Sequence, residues 1–373
     1  HKPENIRNIA LCGHGSSGKT TLTDKILVTT GALSGTPSVD DGNSFCDFDA
    51  EEKQHKYSIE ASVTHCQHNG KRLNLIDTPG YPDFIGQAIG AIHGVDVAAI
   101  VINAQSGIEV NTRRVFDEAG KAGIGRIIII NKMDAENITF DSVVDDVQNL
   151  WGPKCVLLNV PVGHGPDFKG VVSTLNVPDD TAGALVDPAE ISEPLMESII
   201  EVDEEVMERY FEGTPPTQEE LSKLVVRAVA EGSLVPILCC SGKSGNGVSE
   251  LLDAFVMCCP PPTAVKRTAT NDDGEEIDLA CDPNGPLAGV VFKTRIDPFV
   301  QKLSFIRMFS GTLNKDAVVP ASTSRKGVKL SQLLEVQASE TANIDDAGPG
   351  DIVAVAKIEE LHTGTSIGEL VLP

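Results

Sequence analysis

The stretch IRNIALCGHGSSGKTTLTDKILVTT, residues 6–30, decides the fold class. Ile6–Leu11 is an apolar run with the length of a buried strand, Gly13–Gly18 is a glycine-rich turn, and Thr20–Thr30 reads as a helix. Gly13-His14-Gly15-Ser16-Ser17-Gly18-Lys19-Thr20 fits the pattern G-x-x-x-x-G-K-[ST]. Such glycines let the backbone curl until successive N–H groups point inward, and the following helix N-terminus adds a favourable dipole. A polyphosphate suits that cradle. The Lys19 ammonium is then expected at the β- and γ-phosphates, the Thr20 hydroxyl on magnesium, and Thr21 beside it among the nucleotide contacts. A ligand-free glycine turn is the bland alternative, and the strand–turn–helix setting weakens it.

Outward from this unit, Arg72–Ile76, Val97–Asn103, Arg126–Asn131 and Val235–Cys239 are further apolar strands. Helical segments such as Thr112–Ala122 lie between them. Alternation of this kind predicts an α/β fold of the P-loop NTPase type, a doubly wound, mainly parallel sheet covered on both faces. Ligands then belong in the crevice at the carboxyl ends of the strands. The rhythm changes after Cys155. Pro161–Val177 is rich in Gly and Pro, an acidic helix is expected over Pro194–Phe211 and another over Glu219–Ala230. We expect a nucleotide-binding domain over 1–155 and 235–262, an α+β insertion over 156–234, and a linker over 263–285 that includes the polar stretch Thr268–Glu276. From Pro286 the pattern is all-β, with short runs Ala288–Thr294, Leu303–Phe309, Val328–Leu334 and Asp351–Lys357, which predicts a small antiparallel barrel over 286–373.

The nucleotide base is chosen elsewhere. Asn131-Lys132-Met133-Asp134 closes a predicted strand. A carboxylate at Asp134 accepts hydrogen bonds from the ring N–H and exocyclic amine of guanine, whereas adenine presents an acceptor at the ring position. The mismatch strands a buried acceptor, a penalty of roughly 1–3 kcal/mol. Asn131 is expected to brace the phosphate loop, and Lys132 to lay its alkyl stem on the purine. Ser241-Gly242, with Lys243 next to it, fits a last base-reading loop whose backbone N–H groups meet the guanine carbonyl. Gly242-Lys243-Ser244 imitates a second phosphate loop but has Ile237 where the first glycine is required. Asp77-Thr78-Pro79-Gly80 supplies a carboxylate for water-mediated contact with magnesium and a Gly80 amide for the γ-phosphate, which makes the following segment a nucleotide-dependent switch.

Composition narrows the partners. The 373 residues suit two or three domains, and 41% apolar against 23% charged residues excludes global disorder. No apolar run approaches the roughly 18 residues of a membrane helix, and the N-terminus shows no charged-then-apolar leader. Nine cysteines without C-x-x-C spacing suit neither zinc nor a disulfide framework, so a reduced cytoplasm is expected. A net charge of −24 argues against direct sequence-specific DNA binding and against broad electrostatic attraction to nucleic acid. We expect a monomer.

These motifs, in this order, resemble the translational GTPases, specifically elongation factor G and its paralogues. LMESIIEVDEEVMERYFEG (195–213) is similar to the inserted subdomain of that factor; PLAGVVFKTRIDPFVQKLSFIRMFSGTL (286–313) and Gly348-Pro349-Gly350-Asp351-Ile352 are similar to its second-domain barrel. The resemblance implies GTP and GDP as ligands with Mg²⁺, the ribosome as partner, and GTP hydrolysis in translocation. It also implies that the chain, which starts at His1 and stops at Pro373, is the N-terminal part of a longer protein. Departures from the family pattern fall at Ser16, where Asp is usual, and at Ser58, where the magnesium-closing Thr of the first switch is usual. His55-Lys56 stands in place of Arg-Gly. Tyr81 replaces the histidine that orients the attacking water. A phenol stays protonated at neutral pH and lacks the donor-and-acceptor pair of imidazole, so the expected catalytic set of Tyr81, Lys19 and Gly80 predicts weakened hydrolysis. A nucleotide-sensing paralogue with little turnover is the alternative; an ATPase or kinase is disfavoured by Asp134.

Overall fold

The computed structural model describes all 373 residues. Its first domain is built on a seven-stranded sheet whose strands are β1 (Ile6–Gly13), β2 (Ser62–His68), β3 (Lys71–Asp77), β4 (Val97–Asn103), β5 (Gly125–Asn131), β6 (Cys155–Leu157) and, after a short hairpin of β7 (Asn159–Val162) and β8 (Gly170–Ser173), β9 (Val235–Cys239). The order is β2-β3-β1-β4-β5-β9-β6, parallel except for the β2–β3 pair. Each central strand is fully buried, as continuous Ile/Val/Ala runs require when both faces are covered.

The helices are α1 (Lys19–Thr29), α2 (Ala50–His55), α3 (Ile85–Gly94), α4 (Val110–Lys121), α5 (Phe140–Trp151), α6 (Pro188–Ile200), α7 (Glu204–Phe211), α8 (Gln218–Glu231) and α9 (Val248–Cys258). Residues of α3, α4 and α5 share one core with Ala98, Ile100, Ile128 and Ile130, while α1, α8 and α9 share another with Ile9, Ala99, Ile127 and Ile129. Each such Ile taken out of water contributes about 1.5–3 kcal/mol.

Three sequence expectations need correction here. The acidic helix expected over Pro194–Phe211 is two helices, and Pro194 lies inside α6 instead of starting it. Asp187 caps α6 through the Ala189 N–H with Pro188 at its first turn, and Asp203 caps α7 through the Val206 N–H, which ends the continuity. The insertion boundary at 155/156 runs through β6, whose Cys155–Leu157 extends the main sheet beside β9. α8, expected inside the insertion, covers that same sheet with Leu224, Val225, Ala228 and Val229. Finally, the stretch expected as linker folds into a hairpin of β10 (Thr268–Thr270) and β11 (Glu276–Asp278), because Asn271 accepts from the Asp273 and Glu275 N–H groups and closes the turn.

The second domain is antiparallel. Its strands are β12 (Ala288–Asp297), β13 (Gln301–Ser310), β14 (Leu313–Asn314), β15 (Val318–Ala321), β16 (Ser324–Lys329), β17 (Leu333–Gln337), β18 (Glu340–Asn343), β19 (Asp346–Ala347), β20 (Ile352–Ala356) and β21 (Ser366–Gly368). Eight of them form one sheet, β16-β15-β21-β12-β13-β20-β17-β18, wrapped around a core of Val291, Ile306, Val319, Leu333, Val353 and Ile367. The expected run Val328–Leu334 breaks between β16 and β17. The two domains share a core: Phe292 and Phe305 pack with Ala91 and Ile92 of α3. A buried charge cluster joins them as well. Asp96 accepts from Arg267 at 2.9 Å and Arg307 at 3.0 Å, and Asn8 bonds both Asp96 and the Gly350 carbonyl.

Candidate nucleotide site

Four loops leave the carboxyl ends of β1, β3, β5 and β9, and the structure brings them together. The loop after β1 is held in shape by a neighbour. Asn131 at the end of β5 donates from Nδ2 to the Ser17 carbonyl at 3.0 Å and accepts the Gly242 N–H on Oδ1 at 2.9 Å. One side chain thus ties the phosphate loop to the loop after β9. Gly18 sits at φ +89 with the Asn131 amide directly against it, so a side chain there is excluded on both counts. Lys132 donates to the Ser16 carbonyl at 2.7 Å, and its stem lies along Gly18, not free above it. Asp134 accepts from the Ser241 hydroxyl at 2.8 Å, which orients the carboxylate. The Gly242 N–H, expected to face a guanine carbonyl, is engaged by Asn131. Lys243 is exposed beside these loops, and Thr21 is half-buried on α1.

At the phosphate end, Lys19 is buried and donates to the His14 carbonyl at 2.7 Å and to Ser17 Oγ at 3.3 Å. Burial pulls its ammonium down to about 8, opposed by the charge of Asp77. His14 accepts from the Asn111 N–H at 3.4 Å and lies 3.9 Å from Glu109. Asn111 in turn donates to the Gly80 carbonyl at 2.8 Å, locking the loop after β3 against α4. A Cβ on Gly80 would lie 2.5 Å from Lys19 Nζ and 2.6 Å from the Gly15 nitrogen, so this close approach needs glycine. Gly13 and Gly15 complete the bend at the end of β1, with the ring of Tyr81 over Gly15.

The cation candidates also converge. Thr20 Oγ1 donates to Asp77 Oδ2 at 2.6 Å and lies 2.8 Å from Ser58 Oγ, which donates to Asp47 Oδ1 at 2.6 Å. Either hydroxyl of the Thr20–Ser58 contact can be the donor, so two hydroxyls and two carboxylates form one connected network. Asp77 Oδ1, Asp47 Oδ2 and Asp24 Oδ1 are buried without a partner. Burial pushes Asp77 well above the usual carboxylate range, with Asp47 raising it further, and pushes Asp24 up to about 6. Orphaned carboxylate oxygens suit a hard cation, and together with the hydroxyls they are the donor types that magnesium takes. The residues fit the metal.

Sequence reasoning missed Asp24, Asp47, Glu52 and Asn111. Asp24 accepts from Ser44 at 2.6 Å, and Glu52 accepts from the Ile59 and Glu60 N–H groups, so together they order the segment that carries Ser58. The capping box Asp49…Glu52 was the one local signal available. Tyr81 is 38% exposed, and its ring lies 4.7 Å from that of Tyr57, which lies 5.4 Å from His55 and 6.5 Å from Phe84.

Comparison with known proteins places this geometry. The family described as "Elongation factor Tu GTP binding domain" matches residues 4–261, and "Elongation factor G domain 2" matches residues 286–370. A crystal structure of a protein from Thermus thermophilus superposes with a TM-score of 0.84 at 28% sequence identity, over 99% of this chain and 55% of that one. The chain therefore spans about half the length of that solved relative.

Proposed function

This chain belongs to the elongation factor Tu GTP-binding family and is of the elongation factor G type, and on that premise we propose that it binds GTP and GDP with magnesium and acts in translation on the ribosome. Binding and hydrolysis of guanine nucleotide are the family-level activity. The observation that carries our reading is Asn131, which joins the phosphate loop to the Ser241-Gly242 loop while Asp134, three residues on, is held by Ser241. In this reading the polyphosphate and purine ends of the site are tied to each other through Asn131.

Each residue then has a task. Lys19 exchanges its carbonyl and hydroxyl acceptors for phosphate oxygens, and Gly80 is packed closely against its ammonium. Thr20, Ser58 and Asp77 would hold the magnesium, with Asp47 orienting Ser58, and the metal would supply charge neutralisation to the phosphates. Tyr81 stands where a water-orienting histidine is usual. Its hydroxyl offers a hydrogen bond but no imidazole base, so we assign slow hydrolysis to the isolated chain. A second reading, a nucleotide sensor with almost no turnover, is favoured by the packing of Tyr81 between Gly15 and Tyr57. Family membership supports the ribosome as partner and a cytoplasmic setting in this reading.

Calorimetric titration with GDP, and competition between GTP and ATP, test the binding reading. Saturable GDP binding that ATP does not displace is expected; no heat at millimolar GDP would overturn it. Phosphate release with and without ribosomes then separates the slow enzyme from the sensor.

A further inference from the structure

Lys293 lies on β12 of the second domain, yet its ammonium is engaged inside the first. Its side chain is 3% exposed, and Nζ donates to Glu60 Oε2 at 3.2 Å and to Gln87 Oε1 at 3.2 Å. Gln87 Oε1 also accepts the Ala61 N–H at 3.0 Å. Glu60 lies just after Ser58, one of the hydroxyls at the cation position, and Gln87 lies on α3, the helix that follows Gly80 and Tyr81. One buried charge therefore meets the ends of both segments expected to respond to the γ-phosphate.

The surrounding packing makes this contact rigid on the side of the second domain. A Cβ on Gly90 would lie 2.6 Å from the Phe292 carbonyl, and one on Gly94 would lie 2.9 Å from the Phe292 ring, so α3 rests on the β12 backbone itself. β2 is fastened to the same domain, since the Ala338 N–H donates to the Val63 carbonyl at 2.8 Å and Gln337 bonds both backbone groups of His65. Val63 and His65 of β2 are thus anchored to the second domain, and Ile59 and Glu60 are the residues that join Ser58 to that anchored strand. Glu52 holds their N–H groups from one side, and Lys293 holds the Glu60 carboxylate from the other.

We propose that Lys293 is a positioning residue that couples the two nucleotide-responsive segments to the second domain, favouring GTP over GDP. The proposal rests on the nucleotide reading above and extends it. GTP must order Ser58 and Gly80 together, whereas GDP, lacking the γ-phosphate, needs neither. A cation that fixes Glu60 and Gln87 at one point supplies part of that ordering before the ligand arrives. By reciprocity, nucleotide state is transmitted through the same contact to β12.

The test is calorimetric titration of the chain in magnesium with GDP and with a β,γ-imido analogue of GTP. In Lys293→Met the analogue should bind about 10-fold more weakly while GDP stays within about twofold, and Lys293→Arg should restore most of the difference. Glu60→Ala, at a half-exposed position, should shift the same ratio by about threefold in the same direction, and it decides the matter if Lys293→Met does not fold. Equal shifts for both nucleotides, or none, would overturn the coupling while leaving nucleotide binding intact. A wild-type chain that binds neither ligand would instead defeat the nucleotide reading and this inference with it.

Discussion

The ring of Tyr81 packs against the loop at Gly15: a Cβ added to that glycine would meet Cζ of the ring at 3.2 Å. Tyr81 therefore sits beside the candidate phosphate loop, with the ring of Tyr57 against it.

From that contact, Tyr81→His should raise GTP turnover by about 10-fold or more, since a positioned imidazole supplies acid–base help that a phenol lacks. Phosphate release under single-turnover conditions measures it. Unchanged turnover would show that Tyr81 only packs against Gly15 and Tyr57.

Asp134→Asn should weaken GTP by about 10- to 100-fold and improve xanthosine triphosphate, whose extra carbonyl accepts from an amide. Competition between the two triphosphates reads the change directly. Intact preference for guanine would remove Asp134 from base recognition.

Lys19→Ala should cost at least about 100-fold in affinity for both GDP and GTP, because a buried charge-assisted contact to phosphate is lost. Retained affinity would contradict the role of Gly13–Thr20 as the phosphate cradle.

Asp96→Ala leaves the guanidinium groups of Arg267 and Arg307 buried without their shared carboxylate. The expected loss is about 3–5 kcal/mol in urea unfolding, with both domains affected because the cluster lies between them. A loss confined to a few tenths of this would mean that water replaces the carboxylate.

Glu335 is held at about 2 by its hydrogen bond from His65 and by Arg72, below the ordinary carboxylate value. A depressed acid stabilises the fold above its unfolded value near 4.5 and loses that contribution as pH falls through about 2. Glu335 is 31% exposed, so the effect is screened to under about 1 kcal/mol. Thermal unfolding of Glu335→Gln should fall slightly below wild type at pH 7, and the two curves should merge toward pH 2.

Much of this protein is decided by short stretches. A phosphate cradle needs only a strand, a turn that tolerates Gly18 at φ +89 and a helix start, so residues 6–30 announce it. Asn131-Lys132-Met133-Asp134 likewise carries the base-reading chemistry we propose for it within four neighbours, and burial on both faces writes β4 and β5 as apolar runs. What only the tertiary structure decided are contacts made by isolated polar residues far apart in the chain. Lys293 reaches Glu60 across 233 positions and Arg307 reaches Asp96 across 211. Asp24 and Asp47 reach the Ser44–Ser58 segment only once α1 and that segment fold together, through Ser44 and Ser58. A charged side chain has no periodicity to announce its partner. Its role is set by which desolvated oxygen or ammonium the finished fold places within about 3 Å, and by the cost of leaving that atom alone.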